Sequence, residues 1–149
     1  MTSRRSVETF LAQPSIALLG VSRSGMKFGN FAYRTLTARG YRVYAIHPCA
    51  DLIGGIRCYR NFKELPEHVD AALIVLPPAK AVTAVKDAAS SGIHHIWLQQ
   101  GAESGEVSEA CHELGLNTVA GECILMFAKP KGIHKAHRWL REVFGRLPA

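Results

Sequence analysis

The sequence has no long apolar run. Its longest ones, residues 71–76 and 123–128, are far shorter than the roughly 20 residues that a membrane-spanning helix needs. The first residues also lack the apolar segment and small-residue cleavage site of a signal peptide. We therefore expect a cytoplasmic protein that does not contact a membrane, in which the four cysteines are reduced thiols.

Familiar metal and nucleotide motifs are missing as well. No Cys-x-x-Cys or His-x-x-x-His pair is present, so we expect no metal site. Residues 20–29 have glycines at 20, 25 and 29, which fits neither the G-x-G-x-x-G fingerprint nor a Walker A loop. NAD-binding proteins usually carry an acidic residue near the end of the second strand, and here no carboxylate lies between Gly20 and Asp51. These absences disfavour an NAD-dependent dehydrogenase.

The chain is basic, with a formal net charge of +6. That charge favours an anionic partner, which could be a nucleotide cofactor, a nucleic acid or a membrane surface. The densest cationic stretch lies at residues 134–141 and is typical of a solvated helix face. Basic and aromatic residues are not concentrated together, so nucleic acid is the less favoured partner.

Five short apolar runs alternate with helical patterns, and a sixth run at residues 56–59 is weaker. This alternation predicts an α/β fold of the Rossmann type, a three-layer, doubly wound and mainly parallel sheet of five or six strands. We expect a single domain over residues 1–149, with a surface connection of little regular structure at residues 48–65. The five runs are residues 15–19, 41–46, 71–76, 93–98 and 117–120.

Helices are predicted between the strands because apolar residues recur there at helical spacing. A leading helix precedes the first strand and a closing helix follows the last. The stripes are, in chain order, Val7, Phe10 and Leu11; Phe28, Phe31, Ala32 and Leu36; Val82, Val85 and Ala89; Val107, Cys111 and Leu114; and Ile133, His137, Leu140 and Phe144.

Candidate ligand-binding residues follow the predicted strands, because ligands of open parallel sheets bind outside the carboxyl ends of the strands. The loop at residues 20–29 can bring backbone close to a phosphate and offers the N-terminus of the next helix. Arg23 and Lys27 add positive charge there. The sequence therefore predicts an anion-binding loop after the first strand.

In order and spacing, these strand ends resemble the CoA-binding domain family, which is similar to the N-terminal domain of the succinyl-CoA synthetase alpha subunit. The resemblance extends from about residue 11 to residue 126. It implies a Rossmann-like fold and coenzyme A, or an acyl-CoA, as the cofactor. The residues that carry it are Gly20-Val21-Ser22 with Lys27, then Val75-Leu76-Pro77-Pro78, and then Trp97-Leu98-Gln99-Gln100-Gly101.

The resemblance also implies roles for these residues. The loop from Gly20 to Arg23 would cradle the nucleotide end of the cofactor, and Lys27 would bind its phosphates. Pro48 and the run from Val75 to Pro78 would flank the adenine or pantetheine, and Gln99 to Gly101 would line the cleft. Of the synthetase-like motif Asn-Cys-Pro-Gly, only Cys123 is kept, so no catalytic residue is assigned. The candidate cofactor-binding residues are Gly20, Val21, Ser22, Arg23, Lys27, His47, Pro48, Val75, Pro77, Pro78, Gln99, Gln100, Gly101 and Cys123.

We accordingly expect a stand-alone CoA or acyl-CoA binding protein that has no turnover of its own and is not an enzyme. One alternative is a component of a CoA ligase, or of an NAD(P)-linked enzyme, that other chains complete. A second alternative is a protein that interacts with nucleic acid. The sequence identifies no particular protein partner.

Overall fold

A computed structural model of the chain describes residues 2–128, which form a seven-stranded sheet in the order β3-β4-β2-β1-β5-β6-β7. All neighbouring strands run parallel except β3 and β4. The predicted mainly parallel α/β sheet is confirmed. The strands are β1 (Ser15–Leu19), β2 (Arg42–Ile46), β3 (Leu52–Ile53), β4 (Ile56–Tyr59), β5 (Ala71–Ile74), β6 (His95–Gln99) and β7 (Asn117–Glu122).

Helices cover both faces of the sheet and complete three layers. On one face, α1, α2 and α5 pack against the strands, and on the other face α3 and α4 do so. Strands covered on both sides carry apolar residues at successive positions, as all four buried residues of β5 do. The helices are α1 (Arg4–Leu11), α2 (Phe28–Ala38), α3 (Pro78–Ser90), α4 (Gly105–Glu113) and α5 (Ile124–Phe127), with a 3-10 helix at Phe62–Glu64.

Trp97 organises the core beneath α1 and α5. Its fully buried ring meets Phe10 edge-on at a centroid distance of 5.3 Å and lies 5.9 Å from Phe127. The indole Nε1 donates a hydrogen bond to the Glu122 carbonyl at 3.1 Å, so the one polar atom of the side chain is satisfied. The start of the chain and the segment after β7 are thereby tied to the middle of the sheet.

Three details differ from the sequence-based expectation. Leu114, predicted on the apolar stripe of the helix that became α4, is the C-cap of that helix and is 44% exposed. The sheet has one strand more than expected, because Leu52–Ile53 pairs with β4 in an antiparallel hairpin within the stretch predicted to have little regular structure. Phe31, predicted on the buried face of α2, is 58% exposed, because Ala32 and Leu36 face the core instead. The predicted closing helix and the cationic stretch at 134–141 lie outside the described residues. Within residues 2–128, no helix is long and apolar enough to cross a membrane.

The order of the strands reverses beside β1, which has β2 on one side and β5 on the other. The chain leaves β1 toward α2 on one face of the sheet and leaves β5 toward α3 on the opposite face. The two connections therefore diverge at the carboxyl ends of β1 and β5. Such a divergence opens the crevice in which doubly wound sheets bind ligands.

Candidate functional site

A cleft of about 1200 Å³ opens at this point of divergence. Its walls come from the carboxyl ends of β1, β2, β4 and β5 and from one side of α3. Most of the candidate residues meet there, although their part in binding stays a prediction. The candidates that line the cleft are Gly20, Val21, Ser22, Arg23, Lys27, His47, Pro48, Val75 and Pro77.

Two glycines allow three backbone segments to meet at the floor of the cleft. Gly20 has φ +125°, and a Cβ placed on it would lie 2.2 Å from the Val75 carbonyl oxygen. A Cβ on Gly29, in the first turn of α2, would lie 2.2 Å from the Gly20 carbonyl oxygen. The glycines of this loop are spaced differently from those of the dinucleotide fingerprint. They nevertheless meet the same two requirements, a tight turn and close packing of backbone segments.

Asn30 fixes the same loop and was not identified from the sequence. Its side chain is fully buried, its Oδ1 accepts the Ser22 backbone N–H at 2.9 Å, and its Nδ2 donates to the Ser22 carbonyl at 3.0 Å. The Ser22 N–H, which belongs to the loop expected to cradle the nucleotide end of the cofactor, is therefore already bound. The signal for this role of Asn30 in the sequence was weak, because a polar residue in the first turn of a helix is ordinarily exposed or caps the helix.

The helices that begin at the cleft have unusual N-termini. Neither α2 after Lys27 nor α3 after Pro77 has a side-chain cap, and neither has an acidic residue in its first turn. By contrast, α4 begins after β6 at the same edge of the sheet but outside the cleft, where Ser104 caps it and Glu106 lies in its first turn. Helix N-termini carry partial positive charge and free N–H groups. Both ends at the cleft therefore present positive charge to an anion, but α3 offers fewer free N–H groups, because Pro78 at its first position has none and the Lys80 N–H bonds to the Pro77 carbonyl.

Among the described residues that line the cleft, the charged side chains are predominantly cationic, and Asp87 is the one carboxylate. The Arg60 Nε pairs with Asp51 at 3.0 Å, outside the lining residues. Among the residues that the structure describes, the lysines of the cleft lie in no ion pair. The field inside the cleft is therefore positive. The cations are Arg23, Lys27, Arg60, Lys63 and Lys80.

His47 lies in this field at the end of β2. Its Nδ1 accepts the Cys49 backbone N–H at 3.1 Å, which leaves Nε2 to carry the proton of the neutral ring. Burial, followed by the charges of Arg23 and Arg60, lowers the pKa of His47 below its ordinary value near 6.5. The imidazole is therefore neutral at pH 7.

The remaining candidates do not line this cleft, which corrects the expectation that all the strand ends share it. Gln99 is buried and its Oε1 accepts the Ile124 N–H at 3.1 Å, while Gln100 Nε2 donates to the Gly121 carbonyl at 3.4 Å. These bonds join β6 to β7 and α5, so the polar groups point away from the β1–β5 crevice. Cys123 directly precedes α5 and is half-buried. The candidates outside the cleft are Pro78, Gln99, Gln100, Gly101 and Cys123.

Two parts of the cleft lining could not be identified from the sequence. Residues after β4 were missed because that strand is too short for clear periodicity, and α3 was read only through its apolar stripe. In the part of the chain that is described, no group of three or more His, Cys, Asp and Glu side chains could hold a metal ion. The lining residues that were not among the candidates are Leu19, Ile46, Cys49, Arg60, Asn61, Phe62, Lys63, Leu76, Ala79, Lys80, Thr83, Ala84, Asp87, Ser90 and Ser91.

Similar proteins include enzymes. The chain is 24% identical over 149 residues to the alpha subunit of an ADP-forming acetate–CoA ligase II from Pyrococcus furiosus, covering 93% of this chain and 31% of that one. A conserved hypothetical protein from Pyrococcus furiosus has a similar structure, with a TM-score of 0.69, 36% identity, and coverage of 74% and 96%. The apo dinucleotide-forming acetyl-coenzyme A synthetase 1 of Ca. Korarchaeum cryptofilum has a TM-score of 0.61, 27% identity, and coverage of 71% and 25%.

These relatives overturn one expectation. We predicted a protein that is not an enzyme, and this prediction is wrong, because the matched relatives are ADP-forming acetate–CoA ligases. The chain spans less than a third of the length of these curated ligases. The comparison is therefore with one section of a larger enzyme.

The family itself is established by a match over most of the chain. The model of the CoA binding domain family matches residues 14–129. This range contains every strand of the sheet and both helices whose N-termini open on the cleft. The resemblance identified from the strand ends is confirmed, and the chain belongs to the CoA binding domain family.

Proposed function

We propose that this chain binds CoA or an acyl-CoA in the cleft and is the CoA-binding part of an ADP-forming acyl–CoA ligase that other domains or chains complete. The observation that carries the proposal is the convergence of two uncapped helix N-termini and several cations on one cleft. Membership of the CoA binding domain family and the similarity to acetate–CoA ligases support it.

The residues of the cleft fit such a ligand chemically. CoA carries a pyrophosphate and a 3′-phosphate, and both need cations or free N–H groups. Gly20 and Gly29 let the loop pack closely against the first turn of α2 and so hold it in place at the floor of the cleft. Arg23 and Lys27 would supply the charges beside it. Apolar atoms of Val75 and the prolines at the ends of β2 and β5 would flank the adenine.

In the complete enzyme, we expect this domain to bind and orient CoA while other sections activate the carboxylic acid. An ADP-forming ligase couples the formation of the thioester to the cleavage of ATP into ADP and phosphate. The residues that line the cleft are suited to the first task, because they offer cations and helix N-termini for phosphate groups. We therefore assign CoA binding to this chain and the phosphoryl chemistry to the other domains or chains of the ligase.

The bound molecule can be identified directly. Protein purified from its source cells is denatured, and the released small molecules are analysed by mass spectrometry. We expect CoA or an acyl-CoA, and we expect less of it from Lys27→Ala, which lacks one cation of the cleft. Release of NAD or NADP instead would contradict the proposal.

The ligase assignment has its own test. Tagged protein is isolated from source cells together with its partner, and the complex is supplied with acetate, CoA and ATP. We expect acetyl-CoA and ADP to form together. A complex that holds CoA but forms neither product from acetate or other short-chain acids would contradict the ligase part and leave CoA binding intact.

A further inference from the structure

The cations of the cleft come from segments that pack on opposite faces of the sheet. Arg23 and Lys27 belong to the connection that leads to α2 on one face. Lys63 lies in the 3-10 helix, and Lys80 lies in the first turn of α3. Phe62 and α3 both pack against the other face. A phosphate bound beside α2 therefore leaves Lys63 and Lys80 without an anion.

Lys80 occupies a position that its own helix does not favour. A cation in the first turn of a helix opposes the helix dipole, and α3 has neither an acidic residue nor a side-chain cap there to offset it. Such local conflicts are expected where a residue serves binding.

The surroundings of the lysine pair narrow the place that an anion could occupy. Across the cleft, the charge of Arg60 is already offset by Asp51, so Lys63 is the uncompensated cation of that wall. Further along α3, Asp87 lines the cleft and would repel an anion. Of the residues on this side of the cleft, Lys63 and Lys80 are therefore the ones that favour an anion.

We propose that Lys63 and Lys80 form a second anion site that binds the 3′-phosphate of CoA and makes the cleft select CoA over 3′-dephospho-CoA. This rests on the proposed function. CoA carries two anionic groups on either side of one ribose, and the cleft presents two groups of cations on either side of the sheet edge. A ligand with a pyrophosphate alone leaves the second group unused.

The test measures the binding of CoA and of 3′-dephospho-CoA by calorimetry. For the unchanged protein we expect CoA to bind roughly 10- to 100-fold more tightly, the range for a charge-assisted contact. For Lys63→Ala combined with Lys80→Ala we expect the affinities for the two ligands to differ by less than about threefold. The affinity for CoA should fall, while the affinity for dephospho-CoA stays unchanged. Lys63→Arg with Lys80→Arg keeps both charges and should keep most of the preference.

Two further variants assign the effect to this site. Lys86 is exposed on α3 but does not line the cleft, so Lys86→Ala should leave both affinities unchanged. Lys27→Ala should weaken the binding of both ligands equally, since the Lys27 ammonium would bind the pyrophosphate that both of them carry. The inference is overturned if the unchanged protein binds both ligands equally well, or if the preference disappears in Lys27→Ala and persists in the double variant. Failure of the unchanged protein to bind CoA at all would instead overturn the proposed function.

Discussion

Replacement of Gly29 by alanine tests the close packing of the cleft loop, because two physical effects predict opposite signs. Helix propensity favours alanine over glycine by about 0.8–1.0 kcal/mol. The new Cβ, however, would lie 2.2 Å from the carbonyl oxygen and 2.6 Å from the carbonyl carbon of Gly20. Both atoms are backbone and neither can rotate away. Overpacking of this kind typically costs roughly 1–3 kcal/mol, so we expect a net loss of up to about 2 kcal/mol.

Gly105→Ala is the matched control. Gly105 also lies in the first turn of a helix, α4, but a Cβ there would have no atom within 4 Å. Denaturant unfolding should show Gly105→Ala at least as stable as the unchanged protein and Gly29→Ala less stable. Calorimetry should show weaker CoA binding for Gly29→Ala alone, because the loop must move away from α2. If Gly29→Ala were stabilised like its control and bound CoA normally, the close packing would not matter and the reasoning would be refuted.

Other changes test the groups around the loop. Asn30→Asp keeps the acceptor for the Ser22 N–H but replaces the donor to the Ser22 carbonyl with a buried oxygen. The free energy of unfolding should therefore fall by about 1–3 kcal/mol. Asn61→Asp keeps its acceptor role toward the Glu64 N–H and should be nearly neutral in the same denaturant assay; equal losses in the two variants would contradict the role of Asn30. His47 has a lowered pKa, so its neutral form stabilises the fold, and that contribution is lost as the pH falls below about 6.5. His47→Asn, which can still accept from the Cys49 N–H, should lose less stability than the unchanged protein over that pH range; identical pH profiles would exclude the contribution of His47. Added CoA should reduce the difference between the pH profiles of the two proteins, since its phosphates favour the protonated form of the His47 ring.

The fold could be predicted from the sequence because its main strands are apolar on both faces and end at glycine or proline. The run that became β5 is an example, as are the Gly20 turn after β1 and the Pro77 turn after β5. The hairpin of β3 and β4 was only partly predicted, because strands of two and four residues are too short for a periodic signal. Pattern alone therefore identifies the long central strands and misses the short edge ones.

The site was harder to predict than the fold. The strand-end rule led to the edge of the sheet at which the cleft opens, yet it could not separate the β1–β5 crevice from the neighbouring end of β6. That difference depends on which tertiary partner each polar group finds, such as the Ile124 N–H for Gln99. The rule also gave no reason to consider the outer side of α3, where Lys80 and Thr83 line the cleft. An exposed helix face becomes part of a site only through what lies opposite it, here the segment after β4.

The central claim is that the cleft binds CoA, and a direct comparison of ligands tests it best. Calorimetric titration of the purified chain with CoA, NAD and NADP under identical salt conditions measures the three affinities. We predict that CoA binds about tenfold more tightly, or better, than either dinucleotide, because the cleft is cationic at both sides of the sheet edge and the end of β2 has no carboxylate before Asp51 for a ribose. NAD binding as tight as CoA binding, or tighter, would contradict the account.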